Sequence, residues 1–191
     1  MLNEDFYRIA ADQFAIAGPA ISEDRINAVL PGQFSGKDDL VEFYLRYNGG
    51  SRTKYGGTFH CGNRAHKASR DDLEKVFLEG FYSIPLDAEE TMPGVRSMIR
   101  YLNSRVQTFD KIDEMKSFLK THRPIAFEHG GDDFWIDLQS GCIRLVFWNT
   151  WKEGPIEIAG FFREFVEKYW NIPRDRWPVY TPPCGLGMAG K

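Results

Sequence analysis

Residues 123–148, RPIAFEHGGDDFWIDLQSGCIRLVFW, hold three short apolar runs separated by glycine-bearing breaks. Both breaks have hairpin length, so the runs read as three consecutive strands joined by tight turns. Phe134, Ile136 and Leu138 alternate with Trp135 and Asp137, the period of two that turns one face of a strand inward. Gly130, Gly131 and Gly141 supply the positive φ that such turns demand. A chain containing this piece must build a sheet and cover at least one of its faces.

Helical patterns stand on either side of it. ISEDRINAVLPGQF reads as a short helix capped by Ser22, with Ile26, Val29 and Leu30 on one face and Pro31 at its end. FSGKDDLVEFYLRYNGG reads as a second, with Ser35 as cap, Asp38 as its capping-box partner, and Leu40, Phe43, Tyr44 and Tyr47 as the buried stripe. Asn48 and Gly49 tolerate the left-handed backbone that stops it. A strand is expected to begin near GTFHC, and another at VFLEGFYSI, 76–84, closing at Pro85. TMPGVRSMIRYLNSR carries Val95, Met98, Ile99 and Leu102 at helical spacing with Pro93 in its first turn. DKIDEMKSFLK repeats the logic, with Asp110 as cap and Ile112, Met115 and Leu119 inward. GPIEIAGFFREFVEKYW is expected to close the domain as one helix from Pro155, with Ile158, Phe162, Phe165, Val166 and Tyr169 on its apolar face and Asn171 and Pro173 ending it.

The pattern predicts an α+β fold: a single domain with a mostly antiparallel sheet flanked by helices. Residues 1–20 read as a lead-in, 21–170 as the domain, and 171–191 as an extended Pro/Gly-rich tail laid over the body through Trp177 and Tyr180. A chain of 191 residues, 42% hydrophobic, can bury the core this requires. The net charge of −3, without any run of Lys or Arg, argues against duplex DNA or an anionic membrane as the main partner. Glu4, Asp5, Arg8 and Asp12 interrupt the segment a signal peptide would need. No stretch reaches the length of a membrane span. Cys61, Cys142 and Cys184 form no disulfide framework, so a cytoplasmic location is expected.

Two groups invite chemistry. His60, Cys61 and His66 have ligand-like spacing, but a structural zinc site wants a second pair that Cys142 and Cys184 do not make, so no metal or other cofactor is expected. His129 beside Asp132 and Asp133 could serve a hydrolase as an acid–base cluster. Tight turns recruit Gly and Asp for conformational reasons alone, however. No nucleophile elbow, phosphate loop or His-Glu-x-x-His accompanies the cluster, and no catalytic residue is assigned.

Taken in order, ISEDRINAVLPGQF, LVEFYLRYNGG, FLEGFYSI, RPIAFEHGGDDFWIDLQSG and IAGFFREFVEKY resemble the SUKH superfamily, the group of the fungal Smi/Knr regulators and many bacterial immunity proteins. The resemblance runs from about Ile21 to Tyr169. The helices of 87–122 exceed what a minimal member carries, and the tail after Asn171 has no counterpart. It implies a non-catalytic α+β domain that binds and neutralises a cognate protein toxin; many such toxins act on nucleic acids. The alternative is a regulatory scaffold of the Smi/Knr type, serving cell-wall synthesis or docking on a translocation complex. The partner surface is expected on the acidic turn and the neighbouring aromatics. Asp132 and Asp133 would be exposed at a hairpin tip, with Trp135, Asp137, Trp148 and Trp151 forming a patch on the outer face of the sheet. The competing expectation is that a helix covers this face and makes Trp135 core.

Overall fold

Ser22 opens the first helix by accepting the Arg25 backbone N–H at 3.3 Å, and α1 runs Glu23–Val29 with Ile26 and Val29 buried. The computed structural model describes residues 18–51, 79–86, 95–109, 111–128, 131–148, 151 and 154–169. After α1 come α2 (Lys37–Tyr47), β1 (Gly50–Ser51) and β2 (Gly80–Phe81). Two helices follow, α3 (Met98–Thr108) and α4 (Asp113–Thr121), then β3 (His122–Phe127), β4 (Asp133–Asp137), β5 (Ile143–Val146), β6 (Ile156–Ala159) and α5 (Phe162–Tyr169). The strands form one six-stranded sheet in chain order, and each neighbouring pair is antiparallel. No helix among the described residues is long and apolar enough to cross a membrane.

The expected meander is present. β3, β4 and β5 pair with Phe134 opposite Ala126 and Leu145, and Trp135 opposite Pro124 and Arg144. Pro124 has no N–H to give a ladder, and the register shifts between it and Ala126. Gly141 takes φ 83° in the second turn, where a Cβ would run into the Ser35 backbone. The turn therefore needs glycine for both its backbone and its neighbour.

Helices pack on both faces because β4 is apolar on both. One face joins Phe134, Ile136 and Leu145 to α1, α2 and α5 in the larger core. Its centre is a cluster of phenylalanines: Phe43 lies 4.6 Å from Phe81 and 5.4 Å from Phe162, and Phe134 lies 5.1 Å from Phe165, between ring centroids. The other face joins Trp135, Val146 and Trp148 to Phe118 and Leu119 of α4, with Tyr101, Leu102, Phe109 and Trp151 packed against them.

At the end of α2 the left-handed backbone falls to Gly49, at φ 74°, while Asn48 contributes its side chain. The buried Asn48 amide donates to the Pro19 and Ile84 carbonyls, both at 2.8 Å, and its oxygen accepts the Ile84 N–H at 2.8 Å. One amide thus joins the segment before α1, the end of α2 and the segment after β2.

Several local expectations change. Gly36, not Ser35, occupies the N-cap of α2, in left-handed conformation and without a side-chain cap bond. Ser97 caps α3 by accepting the Arg100 N–H, so Val95 precedes that helix. Ile112 caps α4 and is 44% exposed instead of facing inward, whereas Met115 and Leu119 are buried as expected. The segment from Pro155 is not one helix. Ile156 and Ile158 alternate with exposed Glu157 in β6, which pairs with β5, and the chain breaks near Gly160 before α5 begins. A sixth strand satisfies the edge of β5, which a helix could not do. The strand expected near residue 57, Pro93, Asp110, Gly130, the Tyr169 side chain and the tail from 171 lie outside the described residues.

Phe162 is fully buried. Phe162→Ala is expected to cost roughly 3–5 kcal/mol in urea unfolding, and Leu45→Ala, at a side chain 45% exposed, less than about 0.5 kcal/mol. Comparable losses in the two variants would refute this placement of α5.

Candidate functional site

Alternation along β4 does place Asp133, Trp135 and Asp137 opposite Phe134 and Ile136, but that face is not a surface. Trp135 is wholly buried, Asp133 is 1% exposed and Trp148 is 9% exposed. The exposed acidic and aromatic patch expected from these residues is therefore corrected: α3 and α4 cover it, as the competing expectation held for Trp135. The helices bring Phe118 to 5.5 Å from both Trp135 and Trp151, and Phe109 stacks on Trp148 at 5.0 Å. Trp148 in turn stacks on Trp151 at 5.7 Å, and Trp151 is half-buried. Asp132 is half-buried at the turn, where its carbonyl accepts the Glu128 N–H at 3.1 Å. His129 and the His60, Cys61, His66 group lie outside the described residues. Among the described residues no three His, Cys, Asp or Glu side chains gather to hold a metal ion.

Asp133 is the centre of the face. Its Oδ1 accepts from the Tyr82 hydroxyl at 2.5 Å, and its Oδ2 accepts from Trp148 Nε1 at 2.8 Å and from the Tyr101 hydroxyl. The Arg105 guanidinium donates to the Tyr101 oxygen, through Nε at 2.7 Å and also through Nη2, and lies 3.9 Å from Asp133 Oδ2. It also sits over the Tyr101 and Trp148 rings, 4.7 and 4.6 Å from their centroids. Burial pushes the Asp133 carboxyl above the usual carboxylate range, against the pull of Tyr101, Tyr82, Trp148 and Arg105. Burial and the facing carboxylate hold both tyrosine hydroxyls far above their ordinary range, so they keep their protons and act as donors. The arrangement fastens β2, α3, β4 and the end of β5 together. The hydrogen bonds of Asp133 run to groups of the protein itself.

Tyr82, Tyr101 and Arg105 were not anticipated from sequence. The available signal was Tyr101 and Arg105 at i, i+4 on one helix, facing a strand aspartate whose neighbours alternate into a core.

Asp137 closes the following turn. Its Oδ1 accepts the Gln139 N–H at 2.9 Å, while Oδ2 lies 3.7 Å from Arg144 Nη2 and 3.9 Å from His122 Nε2. His122 stacks on Phe118 at 3.9 Å, and its Nδ1 lies 3.0 Å from the Phe118 carbonyl, which places a donated proton there. Nε2 is buried and finds no hydrogen-bond partner among the described residues. Burial drives the His122 pKa down to about 4, with Asp137 pulling it up and Arg144 and Arg123 pushing it down.

A cleft of about 440 Å³ opens beside the Asp133 network. Tyr82 and Tyr101, whose hydroxyls hold Asp133, form part of its wall. Ser83, Pro85 and Pro19 line one side; Val95, Arg96, Ser97, Arg100 and Ser104 line the other. The two sides are tied by the Ser83 N–H to the Arg96 carbonyl and the Met98 N–H to the Ser83 carbonyl, each 2.8 Å.

Two outcomes follow from this geometry. Asp133→Asn is expected to lower unfolding free energy by about 3 kcal/mol, because an amide N–H would face donors in a buried site, and Tyr101→Phe by about 1–2 kcal/mol. Wild-type urea midpoints would show the network to be dispensable. His122 binds its proton more weakly folded than unfolded, so its contribution is present above about pH 6.5 and is lost as pH falls toward about 4. That interval corresponds to about 3 kcal/mol. Guanidinium unfolding at pH 7 and pH 4 is expected to show a smaller loss for His122→Gln than for wild type; equal losses would exclude His122 as the source.

Comparison with known proteins adds no identity to this geometry: no protein-family model matches the chain, and no curated protein sequence matches it.

Proposed function

We propose that the chain is a non-catalytic, SUKH-like protein-binding domain that acts as an immunity protein, binding and neutralising a cognate toxin. The observation that carries this reading is the order of the five resembling segments along the fold. In sequence they supply α1, α2, β2, the β3–β4 hairpin and the β6–α5 end of one α+β domain. Their apolar residues meet in a common core, which supports reading them together.

The site supports the same reading. Asp133, the most deeply buried carboxylate of the original candidates, has both oxygens engaged by protein donors. Asp137 is engaged by its own turn and by Arg144. Fixed side chains of this kind hold a surface rigid, which lowers the ordering cost of docking a partner. The partner-facing feature they support is the cleft alongside, with exposed Arg96, Arg100 and Ser104 at its rim.

Co-expression with the toxin encoded by the adjacent reading frame is expected to restore growth, with the two chains co-eluting as a stoichiometric complex. Unchanged killing, with the domain folded and abundant, would sink the reading.

A further inference from the structure

We infer that the cleft between the Tyr82–Pro85 segment and the start of α3 is the docking site for an acidic segment of a protein partner. This rests on the protein-binding reading above and names the chemistry of the partner. The chain carries a net charge of −3, yet among the described residues lining this cleft the charged side chains are both arginines. Arg96 and Arg100 line it, and both are exposed. Among the described residues neither guanidinium is joined to a carboxylate. Arg96 is held in place from behind, 4.1 Å over the Phe127 ring, which orients its donors without satisfying them. Arg25 of α1 adds a third cation beside the wall, donating from Nε to the Pro85 carbonyl at 2.7 Å. Asp133, behind the cleft wall, is held by the two tyrosine hydroxyls and lies 3.9 Å from Arg105, so it is already engaged.

Guanidinium groups in this state seek oxyanions that can accept from both arms of the planar fork, carboxylate or phosphate. Three features favour a carboxylate borne on a peptide. Among its described lining residues there is no glycine-rich loop whose backbone could cradle a phosphate. Its remaining lining mixes apolar Pro19, Pro85 and Val95 with serine hydroxyls, which suits a chain alternating acidic and apolar side chains. From Ser97 to Ser104 the helix rises about 10 Å, the span of about three residues of extended peptide. Charge complementarity at an exposed rim also hastens encounter with such a segment.

The test uses the full-length protein on an array of immobilised hexapeptides built from aspartate, lysine, serine and leucine. Wild type is expected to be retained on peptides in which aspartate neighbours leucine and not on their lysine counterparts. Arg100→Glu is expected to weaken that retention at least tenfold, about 1.4 kcal/mol, with an unchanged circular dichroism spectrum, and Arg100→Lys to restore part of it. Retention that ignores aspartate, or that survives Arg100→Glu, overturns the proposal. So does elution by inorganic phosphate at lower concentration than by acetate, which would make the cleft a phosphoanion site. The same variant separates this inference from the broader reading. Toxin protection by wild type and equally by Arg100→Glu would overturn the cleft as the docking site and leave the immunity function standing. Absence of protection by wild type would overturn the immunity function, while aspartate-dependent, Arg100-dependent retention would still support the cleft.

Discussion

A carboxylate buried between two layers of a fold must be met by donors from whatever surrounds it, and Asp133 determines how this domain closes. Desolvating a carboxylate without partners is among the costliest things a fold can do. The donors come from the end of β2, from α3 and from the residue two positions past β5, so those elements cannot shift independently. Arg105 then neutralises the cluster through Tyr101 and covers two aromatic rings with the same guanidinium. Much of the second core follows from this requirement: α3 must lie across the sheet to deliver Tyr101, and α4 then fills the space over Trp135 with Phe118.

The strands β2 to β5, and the helices α1, α2, α3 and α4, were legible because their signals are local, whereas β1 and β6 were not. Period-two alternation at Phe134 and Ile136, the Ser22 cap and the Gly141 turn each depend on a few neighbouring residues. The errors arise where tertiary demand overrides local pattern. Ile156 and Ile158 suit either a helix face or a strand, and only the unpaired edge of β5 decides between them. Ile112 has helical spacing but caps α4 in the open.

The candidate site failed for a related reason. Alternation placed Trp135 and Asp137 on one face, where Asp133, expected at the hairpin tip, joins them, but it carries no information on whether another layer covers that face. Met115 and Leu119 were visible as a helix face, and the layer they belong to, with Phe118, covers the sheet side expected to face solvent. A large aromatic on the second face of a strand is itself a sign that two helix layers are needed. The cleft had no linear signature, because Tyr82 and Arg100 meet only through the pairing of Ser83 with Ser97.

The amide of Asn48 that joins three segments is followed by Gly49, the dipeptide in which the next backbone nitrogen attacks a side-chain amide most readily. In the native state the amide's donor and acceptor are held by Pro19 and Ile84, and Gly49 is pressed against the Tyr82 and Ser83 backbone. The approach that cyclisation needs is therefore closed while the fold persists. Once opened, the chain can lose that nitrogen, and the resulting carboxylate would face two carbonyls it cannot donate to. Chemical ageing at this position would thus record how often the domain has come apart, and would make each such excursion harder to reverse.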